Sequence, residues 1–472
     1  AMVHSREDIV GLDASIMMHP QVWRSSGHLS SFSDPLVDCL VCGERFRADK
    51  APAAEPGADA PLEFADKGRA KAAIDKVQGL VGDDVELKRV GKTIHGVRAG
   101  DRGYVCPNCG SPFLSEERQF NLMFRTTHGP VDPISDVVKA VQAATEAGED
   151  PRAAAEAALA DNSVYLRPET AQAMFVQFAN VLQSTSMKVP FGIAQMGKSF
   201  RNEVTVEHFI FRSLEFEQME MEYFVEPGKG PEWLDYWKDE RLRWWSQYLD
   251  ADRLRLRGHG DGELAHYSDG CFDVEYDFPW GWDELEGIAS RTDYDLKAHT
   301  AGSGKKLLYF DPQSQDPETG KNGWRYMPHV VEPAAGATRG VLAVLCDAYD
   351  EEAADEDGKG ARTVLRLHPR LAPIKAGILP LVKKDGMPEK AREIVQRFLD
   401  AGINAKYDAQ HAIGKRYARH DEVGTPYCLT VDGDTKDDDQ VTIRYRDDRR
   451  QERIPVDRAV EVVREALRQG TR

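Results

Sequence analysis

The sequence predicts an α+β chain in which an antiparallel sheet flanked by helices is followed by a smaller α/β module. Three patterns carry that expectation. "FEQMEMEYF" (216–224) alternates strictly, setting Met219, Met221 and Tyr223 on one face of a strand and Phe216, Gln218, Glu220 and Glu222 on the other. "TAQAMFVQFANVL" places Met174, Phe175, Phe178, Val181 and Leu182 at helical spacing. After residue 362, strand-like "TVLRLHP" and "PYCLTVD" alternate with helical "PEKAREIVQRFLDAG" and "VDRAVEVVREALRQ", the rhythm of an α/β unit.

Taken in order, residues 1–49 open the first domain with "EDIVGLDASIMMHP", read as a strand ending at Pro20, and hold a first Cys-x-x-Cys. Residues 50–162 read as insertions that include a second Cys-x-x-Cys. Within them "APAAEPGADAPLEFADKGRAKAA" (51–73) is rich in Ala, Pro and Gly and is expected to be loose, and 143–162 is a second polar, Ala-rich stretch. Residues 163–349 form the core of the sheet domain. There Pro168 marks a helix start, which puts Glu169 in the first turn. "KSFRNEV" and "RSLEFEQMEMEYF" form two antiparallel strands joined by a loop, "RYMPHVVEP" forms another strand, and "TRGVLAVLCDAY" forms a helix burying Val341, Leu342 and Leu345. The acidic "DEEAADEDGKGA" (350–361) lacks large apolar residues and reads as a linker to the module at 362–472.

At 472 residues with 41% hydrophobic and 30% charged content, the composition is that of an ordinary soluble globular protein. No apolar run reaches the roughly 18 residues of a membrane span, and the opening residues show no secretion signal, so a cytoplasmic protein is expected. A net charge of −18 argues against a nucleic-acid partner. The distribution reverses that inference locally: Arg362 to Arg472 carries 23 Lys and Arg against 18 Asp and Glu. Within it, "HAIGKRYARHDE" (411–422) offers Lys415 and Arg416 to a nucleic-acid backbone, the alternative being a solvated helix end.

Seven cysteines, an odd number, do not suit a disulfide framework. Cys39 and Cys42 in "CLVCGERF" and Cys106 and Cys109 in "CPNCGSPF" form two knuckle-like turns, each suited to placing two thiolates on one tetrahedral ion. A structural zinc site requires the 63 residues between the pairs to fold back; the alternative is four reduced thiols. Cys271, Cys346 and Cys428 read as isolated.

The stretch "GKSFRNEVTVEHFIFRSLEFEQMEMEYF" (197–224) sets Arg201 and Arg212 near Glu215, Glu217, Glu220 and Glu222. An exposed cross-strand ion-pair ladder would explain the pattern. So would a site: a guanidinium holds a phosphate bidentately, a ring and a second guanidinium sandwich a purine, and a carboxylate holds an ammonium. Those are the parts of an enzyme joining ATP to a carboxylic acid that bears an amine. Arg339 in the first turn of an apolar helix opposes the helix dipole at a cost of about 0.3–1 kcal/mol, unless it snorkels to solvent or an anion such as a triphosphate sits there.

These residues resemble a known family. "FRNE" with "FRSLEFEQMEMEYF" resembles motif 2 of class II aminoacyl-tRNA synthetases, and "GATRGVLAVL" resembles motif 3. With "RPETAQ", "WGWDELEGIASRTDYDL", "VVEPAAG" and "VWRSSGHLSSFSDPLVDC", the chain resembles the homodimeric type of glycyl-tRNA synthetase, and "IGKRYARHDEVGTPYCLTVD" resembles the class IIa anticodon-binding domain. The resemblance implies a class II synthetase catalytic domain, ATP with Mg²⁺, glycine and tRNA(Gly) as substrates, and a homodimer. It places glycine on Glu169, Phe216, Gln218, Glu220, Arg291, Glu332 and Gly336, with Arg47 contributing. It places ATP on Arg201, Asn202, Glu203, the stretch Phe211 to Phe216 with Arg212 and Glu215, Glu284, Leu285, Gly336 and Arg339, and gives Arg201 and Arg339 the catalytic roles. Two departures stand out. The family's Glu-Pro-Ser is here Glu332-Pro333-Ala334, and the family's long helix before the motif 1-like strand lies outside this sequence. Competing readings are a class II synthetase for another small amino acid and an inactive nucleic-acid-binding paralogue.

Overall fold

A computed structural model of the chain describes residues 2–130, 132–160, 162–260, 262–264, 268–353 and 361–469. The chain divides into two compact units: Ala1–Gly230 with Tyr267–Asp269 and Ser290–Thr338, and Pro231–His266 with Gly270–Ala289 and Arg339–Arg472.

In the first unit the strands run in the order Ile9–Gly11, Phe191–Phe200, Glu215–Val225, His329–Gly336. The first pair is parallel and the other two are antiparallel. Helix Ala171–Thr185 buries Met174, Phe175, Phe178 and Val181, as its spacing predicted. Phe178 meets Phe224 of the sheet at a ring-centroid distance of 4.6 Å, and Phe191 meets it at 5.3 Å. Each such ring removed from water contributes about 1.5–3 kcal/mol, so this cluster fixes the helix on the two central strands.

Four expectations change here. The strand expected to end at Pro20 is two short ones, Ile9–Gly11 and Met17–Met18, and Pro20 opens helix Pro20–Ser25, where its missing N–H has no partner to lose. "RYMPHVVEP" is split into Asn322–Tyr326 and His329–Gly336 around Pro328, which has no N–H to give to a ladder. Helix Ala171–Thr185 has Thr170 as its N-cap, so Glu169 precedes it instead of lying in its first turn. The alternation of 216–224 assigns the faces correctly, yet every residue from Glu220 to Val225 is buried, because this strand is central and covered on both sides.

The expected loose insertion at 51–73 is packed. Leu62, Phe64, Ala70 and Ala73 join Val37, Phe46, Val77 and Ile94 in a separate core around Cys39, Cys106 and Cys109. Asp66 caps helix Lys67–Val81 by accepting from the Arg69 N–H at 2.9 Å. The Ala-rich stretch continues a helical pair, Ile134–Ala147 and Pro151–Ala160, with Gly148 ending the first helix in the left-handed region.

In the second unit, strands Leu254–Gly258 and Gly270–Phe278 pair antiparallel. Arg241 and Trp245 of helix Gly230–Trp245 donate to the buried Glu286 at 2.6 and 2.5 Å. Helix Ala337–Ala348 buries Ala343 and Ala348, while Val341 and Leu345, expected inside, are 54% and 37% exposed. On the inward side a Cβ on Gly340 would lie 2.9 Å from the Trp245 ring, and Val344 packs against Ala348 and Leu367. Tyr349–Glu352 pairs with Arg362–Leu365, and residues 354–360 of the expected linker lie outside the described residues. Beyond them, a five-stranded sheet has the order Ala405–Tyr407, Ala376–Pro380, Tyr427–Val431, Gln440–Tyr445, Gln451–Pro455. Helices Met387–Asp400 and Val456–Gln469 bury Ile394, Phe398, Val460 and Val463 against Ile378, Leu429 and Ile443.

Candidate active site

Strand Glu215–Val225 runs between its two antiparallel neighbours, with Glu220 opposite Ala334 and Tyr223 opposite Val331, a register that sets Glu222 directly across from Glu332. Its two faces separate the two explanations of the charge pattern. Glu215 and Glu217 form the ladder, exposed and paired with Lys198 at 2.8 and 3.8 Å. Gln218, Glu220 and Glu222 form the site face. Glu220 is 5% exposed, Glu332 7% and Glu222 fully buried.

Around these carboxylates the hydrogen bonds are specific. Glu220 accepts from the Thr170 N–H at 2.8 Å, from the Thr170 hydroxyl, and from Gln218 Nε2 at 2.7 Å. The buried Arg291 donates from Nη1 to both oxygens of Glu332 at 3.0 and 2.9 Å, and from Nε and Nη2 to Asp295 at 2.8 and 3.1 Å. Gln172 ties Glu169 to Asp295, donating at 2.8 and 3.0 Å, and His299 Nε2 lies 2.7 Å from its oxygen. Glu169 retains 15% exposure and lies 3.5 Å from His28 Nε2.

Five acidic side chains thus surround one arginine. Burial pushes Glu220 up to about 8, assisted by the charges of Glu332 and Glu169. Burial and the facing Glu332 drive Glu222 well above the ordinary carboxylate range, and burial raises Glu332 despite Arg291. Glu169 moves the other way: burial alone would raise it, but His28 and Arg291 hold it below the ordinary range. Such a cluster is short of positive charge and suited to an ammonium group.

Arg201 follows the last residue of strand Phe191–Phe200. Its Nε donates to the Pro168 carbonyl at 3.1 Å, and its guanidinium lies between the rings of Phe32 and Phe216, 5.5 and 5.4 Å from their centroids. Arg201 and Leu214 close the loop through a backbone bond of 3.0 Å, and the Asn202 N–H donates to Leu122 at 2.8 Å. Glu203, nearly buried, pairs with Arg212 at 3.5 Å, and Phe211 is half-buried on the same loop. Gly336 lies opposite Gln218 at the end of its strand. Arg47 pairs with Asp34 at 2.8 Å and with Asp49 at 2.7 Å, and the charge of Glu203 also acts on it. In the second unit, Arg339 Nη1 donates to the Glu284 carbonyl at 2.9 Å and pairs with its carboxylate at 3.2 Å, while the Leu285 side chain is in the core.

The two cysteine pairs come together as the fold-back required. Cys39 Sγ lies 3.7 Å from Cys109 Sγ, and Cys42 Sγ lies 3.7 Å from Cys106 Sγ. All four sulfurs lie within 4.8 Å of one another. The edge of a tetrahedron with 2.3 Å metal–sulfur bonds is about 3.8 Å. In the C-terminal module the expectation for Arg416 fails: it is buried, donating to the carbonyls of Pro380, Asp408 and Leu381. Lys415 is exposed.

Thr170, Gln172, Glu222, Asp295, His28 and Phe32 were not among the expected site residues. Asp295 had a signal, lying four residues after Arg291; His28 and Phe32 lie within "VWRSSGHLSSFSDPLVDC", one of the stretches that carry the resemblance.

Residues 375–466 match the anticodon binding domain family. An antiparallel sheet presenting buried carboxylates and a motif 2 arginine, on a chain with that domain, is an aminoacyl-tRNA synthetase of class II. Curated relatives narrow the class. The glycine–tRNA ligase of Treponema denticola is 43% identical over 457 residues, covering 96% of this chain and 84% of its own length. Those of Geobacillus kaustophilus and Cutibacterium acnes are 44% and 43% identical, covering 95% and 98% of this chain and 84% and 85% of their own. The chain belongs to the glycine–tRNA ligase family. A solved prolyl-tRNA synthetase from Cryptosporidium parvum, complexed with L-proline and AMP, aligns over 66% of this chain and 60% of its own, at 16% identity and a TM-score of 0.47.

Proposed function

We propose that the chain activates glycine with ATP and transfers the glycyl group to tRNA(Gly), with Glu169, Glu220 and Glu332 around the substrate ammonium and Arg291 ordering the acids. The observation that carries this is the excess of buried carboxylates, Glu220, Glu222, Glu332 and Asp295, over the buried Arg291 and Arg167. Glycine has no side chain to grip, so recognition rests on its charged ends. A filled pocket rejects larger amino acids, because overpacking costs about 1–3 kcal/mol. Ala334 carries no hydroxyl, so the contact a serine would make there is absent and the carboxylates carry the recognition.

In the first step a glycine carboxylate oxygen attacks the α-phosphorus of ATP, the bond to the β-phosphate oxygen breaks, and pyrophosphate leaves with its electron pair. In the second, the terminal ribose hydroxyl of tRNA attacks the glycyl carbonyl and AMP leaves. Positioning and charge stabilisation are the protein's contribution. Held between two rings, Arg201 is placed to meet the α-phosphate with little reorganisation, and Arg339 takes the phosphate role the resemblance gives it. Mg²⁺ accompanying ATP supplies charge neutralisation, and the half-exposed Glu284 has the oxygen donors to hold it. A structural Zn²⁺ on Cys39, Cys42, Cys106 and Cys109 fits the sulfur spacing. A second copy of the chain completes the dimer, and a cytoplasmic setting supplies the tRNA; among the described residues no helix is long and apolar enough to cross a membrane.

The test is ATP–pyrophosphate exchange with glycine, alanine, serine, threonine and proline in turn. Exchange with glycine alone is expected. Exchange with another of them would replace the substrate and favour the rival synthetase. Absence of exchange with any would favour an inactive nucleic-acid-binding paralogue.

A further inference from the structure

Glu222 is fully buried, and neither carboxylate oxygen has a hydrogen-bond partner among the described residues. Burying such a group costs free energy that nothing in the free pocket offsets. The roles assigned so far do not use it. Its surroundings explain why a carboxyl group is tolerated here and what would complete it. Across one ladder stands Glu332, and like-charged side chains directly opposite destabilise a sheet. Across the other stands Ile193, buried and apolar. Glu220 lies two residues back on the same face. The charged groups that act on Glu222 are therefore Glu220 on its own strand, Glu332 on the neighbouring strand, Arg291 at the end of strand Gly281–Thr292, and Asp295 on helix Tyr294–Ser303. Arg291, the one cation of the set, is already engaged by Glu332 and Asp295.

We propose that Glu222 is a further specificity-determining residue of the glycine pocket, the acceptor kept open for the substrate's amino group beside Glu332. The inference rests on the functional reading above. In the free pocket Glu222 stands as the neutral acid, which relieves the repulsion from Glu332. An arriving ammonium supplies the missing positive charge and the missing donors. The O–H bond of Glu222 then breaks, its proton leaves to solvent, and the carboxylate accepts from the ammonium. No other reactant is needed. Since binding releases a proton, glycine affinity rises with pH through the range in which the free acid titrates and levels off above it. A side chain on the substrate α-carbon would have to share this space with Glu222 and Glu332, which favours glycine over alanine.

The experiment is calorimetric titration of glycine into the intact chain at neutral pH, in two buffers of different ionisation heat, for the wild type and for Glu222→Gln. The expected result is proton release by the wild type, and a smaller release in Glu222→Gln, the remainder coming from Glu220, together with a roughly 10- to 100-fold weaker affinity. The melting temperature should be unchanged, because an amide replaces a neutral acid of the same shape. Should Glu222→Gln not fold, Glu222→Asp retains the acid one methylene back: weaker binding with proton release intact is expected. Unchanged affinity in either variant overturns the inference. Proton release that is undiminished in Glu222→Gln assigns the whole of it to Glu220 and also overturns the inference. A wild type that binds no glycine sinks the functional reading and this inference together, so the two failures are told apart by the wild-type titration.

Discussion

At Arg291 one guanidinium satisfies two buried acids, Glu332 through Nη1 and Asp295 through Nε and Nη2. Removing it leaves both uncompensated in a site already rich in like charge. Arg291→Ala is therefore expected to lose about 3–5 kcal/mol of stability, measured as a shift of the urea midpoint, in addition to its glycine-dependent exchange. Arg339 is expected to behave differently. Its side chain is partly exposed and its partner Glu284 is half-exposed, so Arg339→Ala should fold normally. If it clamps phosphate, the adenylation barrier rises by about 2–4 kcal/mol, read as a fall in exchange rate at saturating glycine. Near-wild-type turnover would remove Arg339 from the phosphates. The contrast shows what could be read in advance. A motif locates Arg291 and Arg339, but only the fold reveals that one is buried between Glu332 and Asp295 while the other lies at its helix start.

Periodicity identified the elements well where it reported on burial. The helix Ala171–Thr185 and the strand Glu215–Val225 have the predicted faces. It failed where a neighbour distant in sequence decided the outcome. Trp245 packs against Gly340 on a helix whose Val341 and Leu345 face outward, and three carbonyls draw Arg416 inward from a stretch read as basic. The helix Ile413–Glu422 consequently makes a two-part prediction. Lys415→Ala should weaken tRNA binding slightly and flatten its salt dependence without affecting stability. Arg416→Ala should destabilise the module by about 1–3 kcal/mol through unmet carbonyls, seen in thermal unfolding. Equal effects from both would show that burial does not separate them. The cysteine pairs were legible in position, as two Cys-x-x-Cys-Gly turns that could share one ion or stand as reduced thiols; what the sequence could not convey was that residues 51–73 would build a core around them. A chelator is expected to remove one Zn²⁺ per chain and unfold this region, detectable as new proteolytic sites between residues 39 and 109, with exchange activity reporting whether the sheet survives.

Across the whole molecule, charge is organised into networks more than into isolated pairs. Glu352 receives Arg362 at 2.6 Å, Arg366 at 2.6 Å and also Arg449, while Asp421 holds Arg362 at 2.7 Å and Arg444 at 2.8 Å. Arg362 first, and then Arg449, bring Glu352 down to about 2 from an ordinary 4.5. A depressed carboxylate stabilises the fold at every pH above its unfolded value. The contribution should therefore be intact above pH 4.5 and vanish as the pH falls towards 2. Glu352→Gln is expected to flatten the acid limb of the stability curve in that window and leave the neutral region lower; an unaltered limb would locate acid sensitivity elsewhere. The acidic pocket has the opposite character: burial and mutual repulsion raise Glu220 and Glu222, and on the proposed reading a bound ammonium relieves that repulsion further. Its consequence reaches beyond catalysis. A ligand present at a hundred times its dissociation constant adds about 2.7 kcal/mol to the stability of whatever binds it. The chain's resistance to heat and to proteases should thus track the glycine around it. An enzyme starved of its amino acid would be cleared sooner than one kept at work, so supply of the substrate would set how long the enzyme lasts.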